Sequence, residues 1–559
     1  MGIATTRYED RTLSALIGGE GEVKFESHQG VMEAGLLLML PALLSQGLLK
    51  TTDLYQLPAN HYYGVRSTVM TLAFMFLARI RNPEQIKQCR PGEIGKIIGL
   101  DRIPEARCLR DKIRLLSEQH QASHLNRVLV DHWYQSPTEE GSFLYIDGHV
   151  RIYYGQLATL PAKYVSRQKL CLSATTEYWV NDAQGLPVMM VMGELTEKLE
   201  QAISEQIIPE LKKTVLLGGP STSPESTPRC TLVFDREAYH PAFFATLWQQ
   251  HSIAVITYRK NVRDSWPEES FKDMTVNILD QVVTMRLCEQ LTTLAGVSLR
   301  EIRRLGEDGH QTSIITTHGT IPTPVVAGRM FGRWSQENFF RYLMADYDFD
   351  KMVQFGVEAI DENRQVINPL YRKVNYRLKK HREKLQRLKA QLYPLADQTM
   401  EATVDAIPQI TQKQIALKEK IEAYQDIEAQ VLSERRNTPA RIRLKDMGKQ
   451  QRYNKLKHES KMLINIIKMI CYRAETAVAN LLMEHLANGR EEKRMVVKQI
   501  MQTPADLEPD YQNKTLTVTL HTLAAPRFNF AAAKVAHLLT QTETLFPGSD
   551  LKLIFKTTA

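Results

Sequence analysis

The sequence predicts a mixed α/β protein whose central sheet carries acidic residues at the ends of its strands. Two short apolar runs, residues 143–146 and 231–234, lead without interruption into Asp147 and Asp235. Such runs are typical of strands that are buried on both faces, and mixed α/β sheets bind ligands at the carboxyl ends of such strands. A third acid, Glu337, lies in a segment with helical spacing. We therefore expect the fold to bring these three acids together.

Length and composition bound the class of protein. A chain of 559 residues is too long for one ordinary core, so roughly two to four domains are expected. Its 43% hydrophobic and 24% charged residues are those of a globular protein. The net charge of +8 is a weak indication of polyanion binding. The six cysteines are scattered without a Cys-x-x-Cys pair, which fits a reducing cytoplasm and predicts neither a zinc site nor a disulfide framework.

No segment predicts export or membrane insertion. The first residues contain no basic stretch followed by an apolar one, so no secretory signal is expected. The longest apolar run, residues 35–44, is too short to span a bilayer and contains Pro41. It predicts a buried helix that kinks or ends near Pro41. We therefore expect a cytoplasmic protein with no membrane partner.

Residues 1–140 predict a helical N-terminal domain. Within it, residues 91–101 and 104–114 predict a short helix, a glycine-containing turn and a second helix that carries Arg107 and Arg110. This pattern could be a DNA-binding helix-turn-helix or an ordinary αα-hairpin with solvated basic side chains. We favour the hairpin, because no strict helix-turn-helix signature is present.

Residues 141–260 predict the first part of a catalytic core. Helices are expected near residues 196–213 and 241–250. Strand-like runs occupy residues 143–147, 151–155 (which can pair back on the first run), 170–176, 186–192, 231–235 and 253–257. Strands first, and then helix, strand, helix, strand, is the order of a ribonuclease H-like mixed sheet.

An insertion then divides the core. Residues 261–322 have strand-like spacing and no candidate catalytic group, which predicts a β-rich insertion. Residues 323–365 return to the core as its second part. Thr323 and Pro324 suit the cap and the first residue of a helix, and the helical pattern continues through Glu337 to about residue 347.

Residues 366–436 predict a basic coiled-coil hairpin, and residues 437–559 a helical and β-α-β C-terminal region. The cations of residues 372–389 could lie along DNA phosphates, the leucines could form a dimer interface, or the charges could simply be solvated; we favour the solvated face. Leucine-rich positions repeat at heptad spacing, and residues 394–408 separate the two runs: Leu385, Leu388, Leu392 and Leu395, then Ile410, Leu417, Tyr424 and Val431.

Three acids on rigid elements suit metal-dependent phosphoryl transfer. In such sites two divalent ions about 3.5–4 Å apart activate the nucleophile and hold the leaving oxygen, and Mg²⁺ and Mn²⁺ prefer carboxylate oxygens. Glu337 shares its helix face with apolar residues, Trp334 and Phe340 among them, where a charge needs a partner. Arg333, one turn earlier, or a metal would supply it. Each acid alone fits a structural role, so the prediction depends on the three together.

The acidic segments resemble the three acidic boxes of DDE transposases from bacterial insertion sequences. The segments are Tyr145-Ile146-Asp147-Gly148-His149, Phe234-Asp235-Arg236-Glu237 and Arg333-Trp334-Ser335-Gln336-Glu337. The resemblance covers residues 141–350 and is to the branch with a β insertion before the glutamate; blocks 471–476 and 545–551 are also similar to large transposases of this kind. In the fuller third box of that family a Tyr precedes the Arg by three residues and a Lys follows the Glu by seven, whereas Met330 and Met344 stand here.

The resemblance implies hydrolysis at transposon ends, dependent on Mg²⁺ or Mn²⁺, followed by transfer of the 3′-hydroxyl into target DNA. Asp147, Asp235 and Glu337 would be the catalytic and metal-binding residues. Arg333 and Arg236 would orient the glutamate or contact phosphate.

Further residues and partners follow from the same resemblance. His149 would support the first acid, or be a hydrogen-bonded structural histidine. Arg259 and Lys260, just after a core strand, would meet the DNA backbone. The partners would be double-stranded DNA, both transposon ends and target, and further copies of the chain in a homodimer or larger assembly. The setting would be the bacterial cytoplasm, in association with the nucleoid.

Two alternatives stay open. A catalytically inactive or scaffolding DNA-binding protein on the same core would show no metal-dependent nicking and would hold the acids apart in space. A stand-alone metal-dependent nuclease with the same three acids would cut DNA without joining it to a target.

Overall fold

The structure is a computed structural model that describes residues 5–135, 142–193, 197–219, 227–279, 281–351, 356–401, 407–448, 452–482 and 490–558. The chain divides into two compact units. The first comprises Met1–Ile152, Thr175–Phe355 and Lys457–Ala559, and the second comprises Tyr153–Ala174 and Gly356–Leu456. None of the helices in the described ranges is long and apolar enough to cross a membrane.

The first unit begins with short helices around buried apolar segments. They are α1 (Tyr8–Ile17), α2 (Leu40–Ser45), α3 (Lys50–Leu54), α4 (Val65–Leu77), α5 (Pro91–Ile97), α6 (Ala106–Ser117) and α7 (Ala122–Trp133), with strand β1 (His28–Val31) and 3-10 turns at Ala34–Met39 and Pro83–Gln88. The buried run around Pro41 forms two consecutive segments, whereas the sequence predicted one helix that kinks or ends near Pro41. A 3-10 turn comes first and α2 begins beside Pro41, because the first turn of a helix does not need the N–H that proline lacks.

A long mixed sheet follows. Its strands are β2 (Phe143–Ile152), β3 (Ala162–Val165), β4 (Leu170–Asn181), β5 (Pro187–Met192), β6 (Cys230–Phe234), β7 (Ile253–Tyr258), β8 (Lys272–Ile278), β9 (Gln281–Leu294), β10 (Val297–Leu305) and β11 (Gln311–Thr316). Their order is β3-β4-β2-β6-β7-β11-β10-β9-β8, and β5 pairs with β4. β2, β6 and β7 run parallel, whereas β7, β11, β10, β9 and β8 alternate in direction. β3 and the start of β4 belong to the second unit.

The centre of the sheet is buried on both faces, as its continuous apolar strands predict. Ile146 and Phe234 pack with the helices of one face, and Tyr145 and Val233 pack with those of the other. The first face is covered by α8 (Leu199–Ala202), a π-helical turn (Ile203–Ile207), α9 (Ile208–Leu211) and α10 (Pro241–His251), and the second by α11 (Thr323–Phe331). Because successive side chains of a strand point to opposite faces, both faces must be apolar.

Strand β2 is longer than predicted. Residues 151–155 were expected to pair back on residues 143–147, but one strand runs on through Asp147 to Ile152. Its pairing with β6 ends where Ile146 lies beside Phe234. Only β6 stops at this point, because its chain turns into the 3-10 segment Arg236–Ala238, while β2 continues beside β4.

The end of the first unit combines helices with a small second sheet. The elements are α12 (Trp334–Tyr347), α15 (Glu459–Leu481), α16 (Arg490–Gln502), β16 (Ala505–Asp510), β17 (Thr515–Leu520), α17 (Pro526–Thr540) and β18 (Lys552–Thr557). The strand order is β1-β16-β17-β18. β17 and β18 are parallel and are joined by α17, which is the β-α-β unit that the sequence predicts.

The second unit contains two long helices and short strand pairs. It holds β12 (Val357–Glu358), β13 (Gln365–Ile367), α13 (Pro369–Glu401), α14 (Ile407–Asn437), β14 (Arg441–Arg443) and β15 (Lys455–Leu456), with β12 against β15 and β13 against β14. Val374 and Leu378 of α13 pack with Val431 of α14. Residues 394–408 were expected to separate the two helical runs, but α13 continues past Pro394 to Glu401.

Candidate active site

The pairing of β2 with β6 places two of the predicted acids side by side. In this parallel pair Ile146 lies opposite Phe234, and the next residue of each strand is Asp147 or Asp235. Both carboxylates therefore stand at the same edge of the sheet, where β6 ends. The side chain of Asp235 accepts a hydrogen bond from the N–H of Arg236 at 2.6 Å and so caps the following 3-10 turn.

Burial makes the charge of Asp147 costly. Desolvation, with a smaller contribution from the negative charges of Glu237 and Asp235, raises the pKa of its carboxyl, and the net value is about 6. Attraction to Arg333 and a hydrogen bond of 2.8 Å from the N–H of Gly148 act in the opposite direction. Any additional cation near Asp147 would stabilise the ionised form of its carboxyl, because the attraction offsets the cost of desolvation.

Arg333 joins the first aspartate to the glutamate. Its guanidinium lies 2.8 Å from Glu337 and 3.5 Å from Asp147. The same group of charges acts on Tyr258: burial raises the pKa of its hydroxyl, and the charges of Arg333, Asp235, Arg236 and Glu337 all modify the shift. Asp147 and Glu337 therefore share Arg333, and Asp235 follows the strand residue that pairs beside Asp147's own strand at the same edge of the sheet.

The environment of Glu337 differs from the prediction. We expected a charge within an apolar helix face, but 55% of the Glu337 side chain is exposed, and neighbouring Trp334 is 44% exposed. The buried face of α12 is formed instead by Gln336, Phe339 and other residues at helical spacing. The first turn of α12 therefore presents Glu337 to solvent, where a substrate can reach it.

The donor chemistry of the three carboxylates suits Mg²⁺ or Mn²⁺. Within the described ranges, however, no three His, Cys, Asp or Glu side chains stand close enough to form a ready metal cage. The cation among these acids is Arg333. The three carboxylates are the type of ligand that a divalent ion prefers. Two of them, those of Asp147 and Glu337, pair with Arg333 in this structure.

Gln336, next to Glu337, connects α12 to the sheet. Its side-chain NH₂ lies 3.1 Å from the carbonyl oxygen of Tyr145, 3.2 Å from that of Trp179 and 3.0 Å from the side-chain oxygen of Asn181. Tyr145 precedes Asp147 by two residues, so one buried amide ties the glutamate helix to the aspartate strand. The sequence contains a signal for this residue that our predictions missed: Gln336 stands in the i, i+3, i+4, i+7 apolar face of α12.

The other end of α12 is held by α15. Lys468 donates a hydrogen bond of 2.7 Å to the carbonyl oxygen of Tyr347, and Lys461 donates one to that of Phe349. Glu475 accepts hydrogen bonds from the hydroxyls of Tyr347 at 2.7 Å and Tyr342 at 3.1 Å. Burial lowers the pKa of both lysine amines, to about 8 for Lys461. They hold this end of the helix as hydrogen-bond donors, since the last carbonyl groups of a helix have no partner within it. Sequence reasoning missed these contacts, although the polar residues within the otherwise apolar sequence of α15 indicated that they need buried partners.

The supporting residues have separate partners. Nε2 of His149 bonds the carboxylate of Asp350, and its ring packs 4.4 Å from Phe349, measured between ring centres. His149 is thus part of a buried aromatic cluster. The guanidinium of Arg236 lies 5.5 Å from the centre of the Tyr258 ring.

The four residues predicted to bind DNA lie at several places in the first unit. Arg259 forms an ion pair with buried Glu301, and Lys260 lies over the ring of Tyr239. Arg107 is exposed on α6. Arg110, also on α6, pairs with Glu84 at 2.9 Å. Arg259 and Arg110 are therefore engaged within the protein.

Comparison with known proteins identifies the family. No curated protein and no solved structure matches the chain significantly. The model of one protein family, described as "Transposase protein", matches residues 2–559. That match covers the helical segments and both units as well as the acidic sheet edge, and the chain therefore belongs to this family of transposases.

Proposed function

We propose that this transposase is of the DDE type, with Asp147, Asp235 and Glu337 as its acidic triad. The proposal includes a ribonuclease H-like core, and the strand order β5-β4-β2-β6-β7 supports it. In that segment the outer pair β4 and β5 is antiparallel and the pairs β2–β6 and β6–β7 are parallel. The β-rich segment β8–β11 lies between the second aspartate and the glutamate helix, as in the branch with an insertion.

One observation carries the proposal: Arg333 contacts both Asp147 and Glu337, while Asp235 stands in register beside Asp147. Three acids that lie far apart in the sequence are thus brought to one edge of the sheet, and two of them pair with the same arginine. An acid with only a structural role has no need for the other two, whereas phosphoryl transfer requires hard oxygen ligands converging from several elements.

The three carboxylates would hold Mg²⁺ or Mn²⁺. When bound, such ions activate the attacking oxygen and stabilise the leaving oxygen. Arg333 holds the carboxylates of Asp147 and Glu337 in place and adds positive charge where the phosphate enters. Gln336 keeps α12 at a constant position against β2. In the first reaction water displaces a 3′-hydroxyl at the transposon end, and in the second that hydroxyl displaces a 3′-oxygen of the target strand.

The proposed setting is bacterial DNA, with a homodimer or larger assembly bringing two ends together. The substrate for a test is a duplex that contains the DNA flanking the gene of this protein, supplied with Mg²⁺ or Mn²⁺. The products to be separated are the nicked strand and the strand joined to a second duplex.

We expect Asp147→Asn, Asp235→Asn and Glu337→Gln each to abolish nicking and joining while DNA binding persists, because each removes a metal-binding charge at constant shape. Asp273→Asn, at an exposed acid of β8, is the matched control and should react like the wild type. Nicking that survives any of the three substitutions contradicts the proposal. Nicking without joining would indicate a stand-alone nuclease, and binding without nicking a scaffolding protein.

A further inference from the structure

The positive charge of the chain is concentrated in the second unit. Its 123 residues contain 24 lysines and arginines against 13 aspartates and glutamates, a formal charge of +11 (24 − 13). The remaining residues contain 47 (71 − 24) basic and 50 (63 − 13) acidic side chains, a formal charge of −3. The net charge of +8 for the whole chain is therefore the sum of a strongly basic unit and a slightly acidic one.

Within the second unit, α13 carries a continuous basic stripe. Lys373, Arg377, Lys380, Lys384 and Arg387 follow one another at spacings of four and three residues, and all five are exposed. At 100° per residue they occupy one side of the helix, and the stripe is about 21 Å long at the helical rise. The face that packs with α14 is a different one, formed by residues such as Val374 and Leu378.

The acids of α14 neutralise only part of α13. Glu434 pairs with Arg377 of the stripe at 2.9 Å. Glu428 pairs at 2.7 Å with Arg382, and Arg382 is not part of the stripe. Within the described ranges no carboxylate lies at ion-pair distance from Lys373 or Arg387. Glu383 of α13 itself lies 3.4 Å from Lys380. After these pairs have formed, the stripe still keeps a surplus of cations.

A second basic segment belongs to the same unit. Residues 153–174 contain Lys163, Arg167 and Lys169 and no acidic residue. Tyr154 and Tyr164 of this segment are 79% and 60% exposed. Reciprocal hydrogen bonds between Thr159 and Asn454, 2.7 and 3.1 Å long, attach the segment to the end of the unit. Cations interleaved with exposed aromatic rings are typical of nucleic-acid surfaces.

We propose that the second unit is the main DNA-backbone-binding surface of this transposase, with the stripe of α13 as its centre. The proposal builds on the proposed function, since DNA is the substrate there. Charge complementarity selects the occupant: phosphates repeat along both strands of a duplex, and a straight row of cations matches such a polyanion without reading its sequence. The solvated coiled-coil face that we favoured from the sequence does not account for the segregation of charge between the units.

The test neutralises the stripe and measures DNA affinity at several salt concentrations. The full chain and a K373Q/K380Q/R387Q variant are titrated into a short fluorescent duplex of arbitrary sequence, without divalent ions, over about 50 to 200 mM salt. The matched control, K272Q/K534Q/K556Q, removes three exposed cations from the first unit and changes the net charge equally. Glutamine preserves helix formation, and circular dichroism verifies that each variant is folded.

We expect the stripe variant to bind at least about tenfold more weakly and its logarithmic salt slope to fall by roughly 2 to 3, because each phosphate contact contributes about 0.9. The control should keep the wild-type slope. Equal losses in both variants would show a net-charge effect and overturn the proposal, as would wild-type binding by the stripe variant. A stripe variant that binds normally but loses self-association in sedimentation would assign the stripe to a second copy of the chain.

The DNA-binding measurement tests the surface independently of the proposed nicking and joining reactions. Wild-type chain that binds the duplex with the expected slope, yet never nicks DNA, would refute the proposed function and leave the surface assignment intact. Nicking by the wild type together with unchanged DNA binding by the stripe variant would support the proposed function and refute the surface assignment.

Discussion

At the scale of single residues, Asp147 carries the clearest electrostatic signature of the site. Its folded-state pKa of about 6 lies above the ordinary value of 3.8, because burial penalises the ionised form. The ionised carboxylate therefore costs stability above pH 6, and this cost disappears as the pH falls toward 4. In the absence of metal, the wild type gains stability from this group on mild acidification.

We expect Asp147→Asn to raise stability at neutral pH by about 2 kcal/mol, since it removes a charge that burial disfavours. The gain should shrink between about pH 6 and pH 4, where the wild-type carboxyl becomes protonated. Thermal unfolding of both proteins across this range, with a chelator present, measures the difference. A constant difference at all pH values would show that Asp147 has an ordinary pKa.

Gln336 is the second residue with a defined consequence. Gln336→Met keeps the size and shape of the side chain and removes its donors, which leaves the oxygens of Tyr145, Trp179 and Asn181 without this partner. We expect a loss of about 1–3 kcal/mol in stability. We also expect kcat for nicking to fall about 10- to 100-fold, because a small displacement of Glu337 is enough to misalign the site.

The reaction distinguishes positioning from general destabilisation. Nicking is measured well below the unfolding temperature, and a positioning role lowers kcat while KM for DNA changes little. Gln249→Met, at an exposed position of α10, is the control and should leave both parameters unchanged. Normal kcat in Gln336→Met would mean that the amide supports only the fold.

At the scale of elements, α12 is fixed at both ends by different partners. Its first turn is bonded to β2 and β4 through Gln336, and its last turn to α15 through Lys468 and Glu475. Glu475 also pairs with Arg79, whose side chain is only 9% exposed. The position of Glu337 therefore depends on a helix that lies more than a hundred residues later in the chain.

We expect Glu475→Gln to destabilise the protein by about 3 kcal/mol, because it leaves the buried guanidinium of Arg79 with a weakened partner. Glu543→Gln breaks an exposed pair with Lys552 and should cost less than about 1 kcal/mol. Urea unfolding measures both. Equal effects of the two substitutions would contradict the view that α15 anchors α12 through a buried ion pair.

At the scale of the whole molecule, the chain leaves the first unit at residue 152, returns at 175, leaves again at 355 and returns at 457. This path separates two kinds of surface. The three acids proposed to bind metal are in the first unit, whose formal charge is −3, and the surplus of cations is in the second, at +11. The acids proposed for catalysis and most of the cations proposed for DNA binding therefore belong to different units.

Much of the architecture could be predicted from the sequence, because periodicity is a local property. The apolar runs before Asp147 and Asp235 became β2 and β6, the heptad leucines lie in α13, and the last segment formed a β-α-β unit. The predictions failed where contacts between distant parts of the chain overrode the local preference of the sequence. The separation expected over residues 394–408 begins only after Glu401, and residues 151–152 extended β2 because β4 continues beside it.

The sequence by itself determined which residue types could do chemistry and which segments were strands, helices and basic runs, since spacing and composition encode these directly. Only the tertiary structure decided that Arg333 lies between Asp147 and Glu337, that Gln336 joins two distant elements, and that residues 153–174 belong to the same unit as the basic helices. These facts depend on contacts between residues far apart in the chain, and such contacts follow from the packing of the whole fold and leave no periodic trace in the sequence.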